Sequence, residues 1–89
     1  MLKLLTARYV GNFQVRLEFS DAACGDFDGR ALLQRSGPLL EPLRDEAYFQ
    51  RCFVDAGALC WPNGLELSAV RLRQNTRLNN WGQSRVKFA

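Results

Sequence analysis

The stretch Ala58-Leu59-Cys60-Trp61-Pro62-Asn63-Gly64-Leu65-Glu66-Leu67-Ser68 constrains this chain more than any other. A short apolar run ends on Trp61, and Pro62 then fixes φ and removes a donor from any sheet ladder. Asn63-Gly64 follows, the dipeptide that most readily takes positive φ in a turn. Leu65 and Leu67 flank Glu66, and Ser68 stands where a helix N-cap is favoured. Strand, forced turn and helix start therefore come in quick succession. Trp61, Pro62, Asn63 and Gly64 form a structural corner, with the Trp61 indole expected to close the core over it.

The remaining residues must build a sheet up to that corner, and the 89-residue chain is short enough to be one domain with a thin core. Its hydrophobic content of 47% argues against disorder. No apolar run approaches the roughly 18–20 residues that a membrane-spanning helix needs. Arg8 interrupts the N-terminal apolar stretch where a signal peptide requires continuity. Cys24, Cys52 and Cys60 are odd in number and lack C-x-x-C spacing, which suits a reducing compartment and small apolar roles in or near the sheet. The expectation is a soluble cytoplasmic protein with no membrane partner.

Period-2 alternation is clearest over residues 13–20, where Phe13, Val15, Leu17 and Phe19 face one way and Gln14, Arg16, Glu18 and Ser20 the other. That is a half-buried antiparallel strand. Leu2 to Tyr9 reads as the strand before it, joined through a Gly11-Asn12 turn. Ala23 to Phe27 reads as a third strand, at an edge or holding a bulge because of Gly25 and Asp26. Asp28 caps a short helix near Arg30 to Gln34, which Ser36-Gly37-Pro38 stops. Asp45 caps a helical turn from Glu46 to Gln50, with Tyr48 and Phe49 facing inward. Cys52 to Val54 and Ala58 to Trp61 form a second hairpin across Asp55-Ala56-Gly57, with Phe53 buried, and a last helix spans Ala69 to Gln74. The expected fold is α+β: an antiparallel sheet of about five strands with two or three short helices on one face, comprising a domain over 1–74 and a basic C-terminal tail over 75–89.

Two groups of residues carry a family resemblance. Trp61-Pro62-Asn63-Gly64-Leu65-Glu66-Leu67 matches a W-P-N-G-x-D/E-L signature, and Leu43-Arg44-Asp45-Glu46-Ala47-Tyr48-Phe49 matches an L-x-D-x-x-x-F element before it. Phe19-Ser20-Asp21-Ala22 stands where F-S/T-D-G is usual, with Ala22 in place of glycine. Over residues 2–74 the chain resembles a family of small bacterial domains of unknown function. The resemblance implies a compact α+β domain, found alone or fused to helix-turn-helix domains. It also implies an arrangement beside another small protein, similar to toxin–antitoxin pairs. It carries over no catalytic residues.

The chemistry open to the chain is narrow. With no histidine, the commonest general base, the commonest zinc ligand and every His-dependent triad are absent. No G-x-x-x-x-G-K-[ST] or G-x-G-x-x-G is present. Paired carboxylates remain, at Asp26/Asp28 and Asp45/Glu46, but each reads more simply as an edge charge, a cap or a first-turn acid. The chain is therefore expected not to be an enzyme and to need no cofactor or metal.

Charge is distributed unevenly. Residues 1–66 hold seven basic and nine acidic groups, a net −2, whereas residues 67–89 hold five basic groups and no acid, a net +5. Arg71, Arg73, Arg77, Trp81, Arg85 and Lys87 are the candidate interaction residues, with Arg73 and Arg77 spaced to share a helical face. Solvated or intramolecular pairing of these arginines is the simpler alternative, with the acids of residues 41–55 as partners. The expected function is a non-catalytic binding or regulatory module of a small two-protein system. Its contact surface would be an exposed edge strand and the segment around Trp81, its partner another small protein or a second copy in a homodimer. The alternative is a nucleic-acid-binding protein acting through the basic segment. Gly64→Val tests the corner: a β-branched residue at positive φ costs roughly 1–3 kcal/mol. In a domain of this size that lowers Tm by several degrees, read by thermal denaturation. An unchanged Tm refutes the corner's organising role.

Overall fold

Val15, Leu17 and Phe19 are at most 1% exposed, while Arg16 and Glu18 between them face solvent. The period-2 pattern is thus realised as a strand with one apolar face. The structure is a computed structural model that describes residues 1–78. Along the chain lie β1 (Leu4–Gly11), β2 (Gln14–Phe19), β3 (Cys24–Asp28), α1 (Gly29–Leu32), a 3-10 turn (Glu41–Arg44) and α2 (Glu46–Phe49). β4 (Phe53–Asp55), β5 (Ala58–Cys60), β6 (Glu66–Leu67), α3 (Ala69–Gln74) and β7 (Thr76–Leu78) follow.

The fold is α+β, but the single five-stranded sheet expected from the sequence is replaced by two antiparallel sheets. One has four strands in the order β1-β2-β3-β7, and the other has three in the order β4-β5-β6. The β4–β5 hairpin meets β1 at its first residue, where the Leu4 amide donates to the Gly57 carbonyl at 2.9 Å. A register irregularity in the β1–β2 pairing follows between Leu4 and Thr6. β3 is not an edge, because β7 pairs along it from Gly25 to Phe27. The sheet thereby extends to Leu78, past the residue-74 boundary read from the sequence. Strands as short as β6 and β7 carry no period by which a sequence could announce them.

Two further expectations are displaced by local geometry. The first hairpin loop is Asn12-Phe13, with φ of 53° and 60°, and Gly11 is paired to Gln14. The two-residue loop is therefore one position later than Gly11-Asn12. Phe13 tolerates this backbone because its amide donates to Tyr9 Oη at 3.1 Å and its carbonyl accepts from the Gly29 amide at 2.8 Å. Phe53 is 45% exposed rather than buried. On β4 alternation turns Val54 inward, and Phe53 with Asp55 outward.

Phe49 is the hub of the core. It is fully buried, and the rings of Phe13, Trp61 and Tyr9 lie 5.2, 5.5 and 5.9 Å from its own. Trp61 Nε1 donates to the Phe49 carbonyl at 3.0 Å, so the buried indole leaves no orphaned donor. Tyr9 Oη donates to Glu46 at the rim of this cluster. Burial first, and then that carboxylate, push the Tyr9 hydroxyl above its ordinary value. Leu43 beneath is also fully buried, and Asp45 caps α2 by accepting from the Ala47 amide at 3.2 Å.

The corner is built as the sequence suggests. Trp61 is 1% exposed, and Gly64 has φ of +94°. The Trp61 amide donates to the Leu65 carbonyl at 2.9 Å and the Gly64 amide to the Trp61 carbonyl at 3.0 Å. Asn63 ties the turn internally and externally: Oδ1 accepts from the Leu65 amide at 3.1 Å, and Nδ2 donates to the Leu39 carbonyl at 3.0 Å. Ser68 Oγ then accepts from the Arg71 amide at 3.2 Å and caps α3, whose Ala69 and Leu72 enter the core.

Arg73 fastens α3 to the four-stranded sheet. Its guanidinium lies 5.2 Å over the Phe19 ring and pairs with Asp21 in the β2–β3 turn at 2.9 Å. The Ala23 amide and then Arg73 hold the Asp21 carboxyl below the usual range. A depressed folded-state value means stabilisation present above the unfolded value of about 3.9 and lost as pH falls through the folded one. Asp21→Asn, which keeps an acceptor for Ala23, is accordingly expected to lower Tm at pH 6 and to match the parent near pH 2. A difference independent of pH would exclude the charge as its cause.

Gly29 faces the hub directly. A Cβ there would fall inside the contact distance of the Phe49 ring and 2.8 Å from the Phe13 carbonyl oxygen. Gly→Ala in a helix ordinarily gains about 0.5–1 kcal/mol. At this position overpacking by about 1–3 kcal/mol opposes it. Gly29→Ala should therefore lower Tm; a raised Tm would show that the ring moves aside freely.

Candidate functional site

The residues expected to act together separate in space. Arg73 is committed to Asp21 and Phe19, whereas Arg71, two positions earlier on α3, projects as an exposed side chain. Arg77 does not share a helical face with Arg73, because α3 ends at Gln74 and Arg77 sits in β7 opposite Asp26. Arg73 finds its carboxylate in the β2–β3 turn and not among the acids of residues 41–55. Trp81, Arg85 and Lys87 lie outside the described residues. Trp61, Pro62, Asn63 and Gly64 occupy the corner, where Trp61 is part of the core.

The four paired acids considered for chemistry all have hydrogen-bond partners, Glu46 accepting from Tyr9 Oη. Asp26 accepts from Arg16 Nε at 3.0 Å, and Asp28 accepts from the Arg30 amide and its guanidinium at 3.0 and 2.8 Å. The Arg30 guanidinium, above all, holds the Asp28 carboxyl below its usual range. Asp45 is a cap, and Glu66 lies exposed on β6. Among the described residues no cluster of three or more His, Cys, Asp or Glu is placed to hold a metal ion. Cys24, Cys52 and Cys60 are free, and burial pushes the Cys52 and Cys60 thiols up, away from the reactive thiolate. No helix among the described residues is long and apolar enough to cross a membrane.

Two features of the surface remain. The first is the open side of β1, the edge strand of its sheet. Phe19, opposite Leu4, donates its amide toward Ala23 on the β3 side at 2.9 Å. Alternation along β2 then turns Glu18 and Arg16 toward Thr6 and Arg8, leaving the backbone groups of Ala7 and Tyr9 pointing away from the sheet. Leu5 and Val10 on this strand are 54% and 39% exposed. Arg8 stands directly opposite Arg16, and Arg16 is bound to Asp26, whereas Arg8 enters no ion pair among the described residues. Like charges so placed oppose each other by a few tenths of a kcal/mol, up to about 1.

The second surface is a groove of about 130 Å³ between α1 and α3, lined by Phe27, Ala31, Leu32, Arg35, Leu67, Arg71, Leu72 and Asn75. None of Asp26, Asp28, Asp45 or Glu66 lines it. Of the candidate interaction residues, the groove includes Arg71. The sequence reading missed Arg8, Val10, Leu32 and Arg35. The alternation Thr6, Arg8, Val10 was visible, but which strand forms the edge is decided by long-range pairing. Arg35 follows α1 in irregular chain, where no period marks it.

The family model described as "Protein of unknown function (DUF2442)" matches residues 5–77, most of the chain and including most of β7. Comparison with curated proteins and with solved structures yields no match. The W-P-N-G and L-x-D-x-x-x-F residues meet around Phe49 and Trp61, where they hold the fold together. On the extent of the family match, this chain belongs to DUF2442, a family of proteins of unknown function.

Proposed function

We propose that the chain is a non-catalytic binding module, the regulatory member of a small two-protein assembly, and that it takes its partner along the open side of β1. The observation that carries this reading is the row of outward backbone groups at Ala7 and Tyr9, flanked by exposed Leu5 and Val10 and by Arg8. An added strand would satisfy the backbone groups, cover the apolar side chains and bring a carboxylate to Arg8. A second copy fits less well. Antiparallel self-pairing about Ala7 and Arg8 would bring both Arg8 and both Arg16 side chains onto one face, without an acid between the copies. An acidic, extended segment of a different protein relieves the same repulsion.

The test is affinity capture from host lysate by the full chain, after nuclease treatment, comparing the parent with Arg8→Glu and Val10→Asp. Both positions are exposed, so melting temperatures should stay within a few degrees of the parent. The expected outcome is one stoichiometric protein partner whose recovery falls at least about tenfold with Arg8→Glu, and whose binding slows amide exchange at Ala7 and Tyr9. Equal recovery by both variants would refute the β1 reading. Material lost on nuclease treatment would transfer the function to nucleic acid and the basic segment.

A further inference from the structure

The α1–α3 groove lies apart from the open side of β1. Phe27, Leu67 and Leu72, at 4%, 7% and 0% exposure, form a floor supplied by β3, β6 and α3, so it is fixed from three directions. Ala31 and Leu32 line it from α1, and Arg35 and Arg71 are the two cationic residues of its lining. Neither arginine enters an ion pair with any carboxylate side chain among the described residues. All nine acids of the chain lie within those residues. The groove thus combines a buried apolar floor with two cations that enter no ion pair among the described residues.

Size selects the occupant. Sites for small molecules and cofactors usually measure about 300–1,000 Å³, and this groove offers about 130 Å³. Such a space suits a single apolar side chain rather than a whole ligand. Two guanidiniums beside it select a carboxylate next to that side chain, since arginine forks match carboxylates in bidentate geometry. The chain's own continuation past Leu78 contributes Arg85 and Lys87 and no acid, and is the wrong sign. We infer that the groove takes the apolar anchor of an acidic protein segment, a leucine-type side chain flanked by aspartate or glutamate. The inference stands apart from the strand-edge reading, because the groove and β1 share no residue.

The test uses the ¹⁵N-labelled full chain and three acetylated, amidated peptides: Asp-Leu-Leu-Glu, its neutral counterpart Asn-Leu-Leu-Gln, and Asp-Ser-Ser-Glu, which lacks the anchor. Saturable amide shifts are expected at Ala31, Leu32, Leu72 and Asn75 with the first peptide. Affinity should fall at least about tenfold for the other two peptides and for Arg71→Gln, and decrease with salt. Arg71 is exposed, so its variant should melt with the parent. Val10→Asp should bind Asp-Leu-Leu-Glu unchanged, which separates a failure here from a failure at β1. Equal affinity for the neutral peptide, or shifts confined to other elements, would overturn the proposal.

Discussion

The bond from Trp61 Nε1 to the Phe49 carbonyl fixes where everything else can go. It closes the C-terminal turn of α2 against the residue that follows β5, twelve positions further along the chain. With both rings buried, the indole donor has to be satisfied inside the core, and a main-chain carbonyl at a helix end is the acceptor that this geometry supplies. Phe13, Gly29 and Tyr9 then arrange themselves around Phe49: a left-handed loop residue, a helix residue without a side chain, and a phenol held by Glu46. A change at any one is felt by the others because the contacts share one ring.

Much of this was legible where chemistry is local. The alternation in β2, the caps at Asp28, Asp45 and Ser68, the Asp55-Ala56-Gly57 hairpin and the positive φ at Gly64 each follow from a few adjacent residues. What escaped depends on distant partners. Splitting the strands into two sheets is decided by long-range pairing, and the second flank of β3 is paired by β7, whose three residues carry no pattern of their own. Phe53 was assigned to the core by hydrophobicity, but pairing of Val54 with Leu59 set the parity of β4. The loop at Asn12-Phe13 went unrecognised because an aromatic at positive φ is disfavoured unless its ring and backbone are held from elsewhere.

The surfaces were less legible than the frame for the same reason. Composition drew notice to the basic residues after Glu66, yet charge on a sequence does not say which cations are neutralised by folding. Asp21 claims Arg73, whereas Arg71 on the same short helix is left to the groove. Arg35 and Arg8, both upstream, have charge just as available. The family motifs, by contrast, describe packing: Leu43, Phe49, Trp61 and Leu67 all belong to one core.

Closure of β3 by β7 also bears on the order in which the molecule assembles. Asp26 and Arg77 are cross-strand partners although some fifty residues separate them. The β1–β2–β3 meander, in contrast, joins neighbours through short loops. Loop-closure entropy makes the near pairings fast and the distant one late. During synthesis the flank of β3 must therefore wait, hydrogen-bond groups unpaired, until α3 and β7 have left the ribosome. That interval is when nascent chains are most open to pairing with one another.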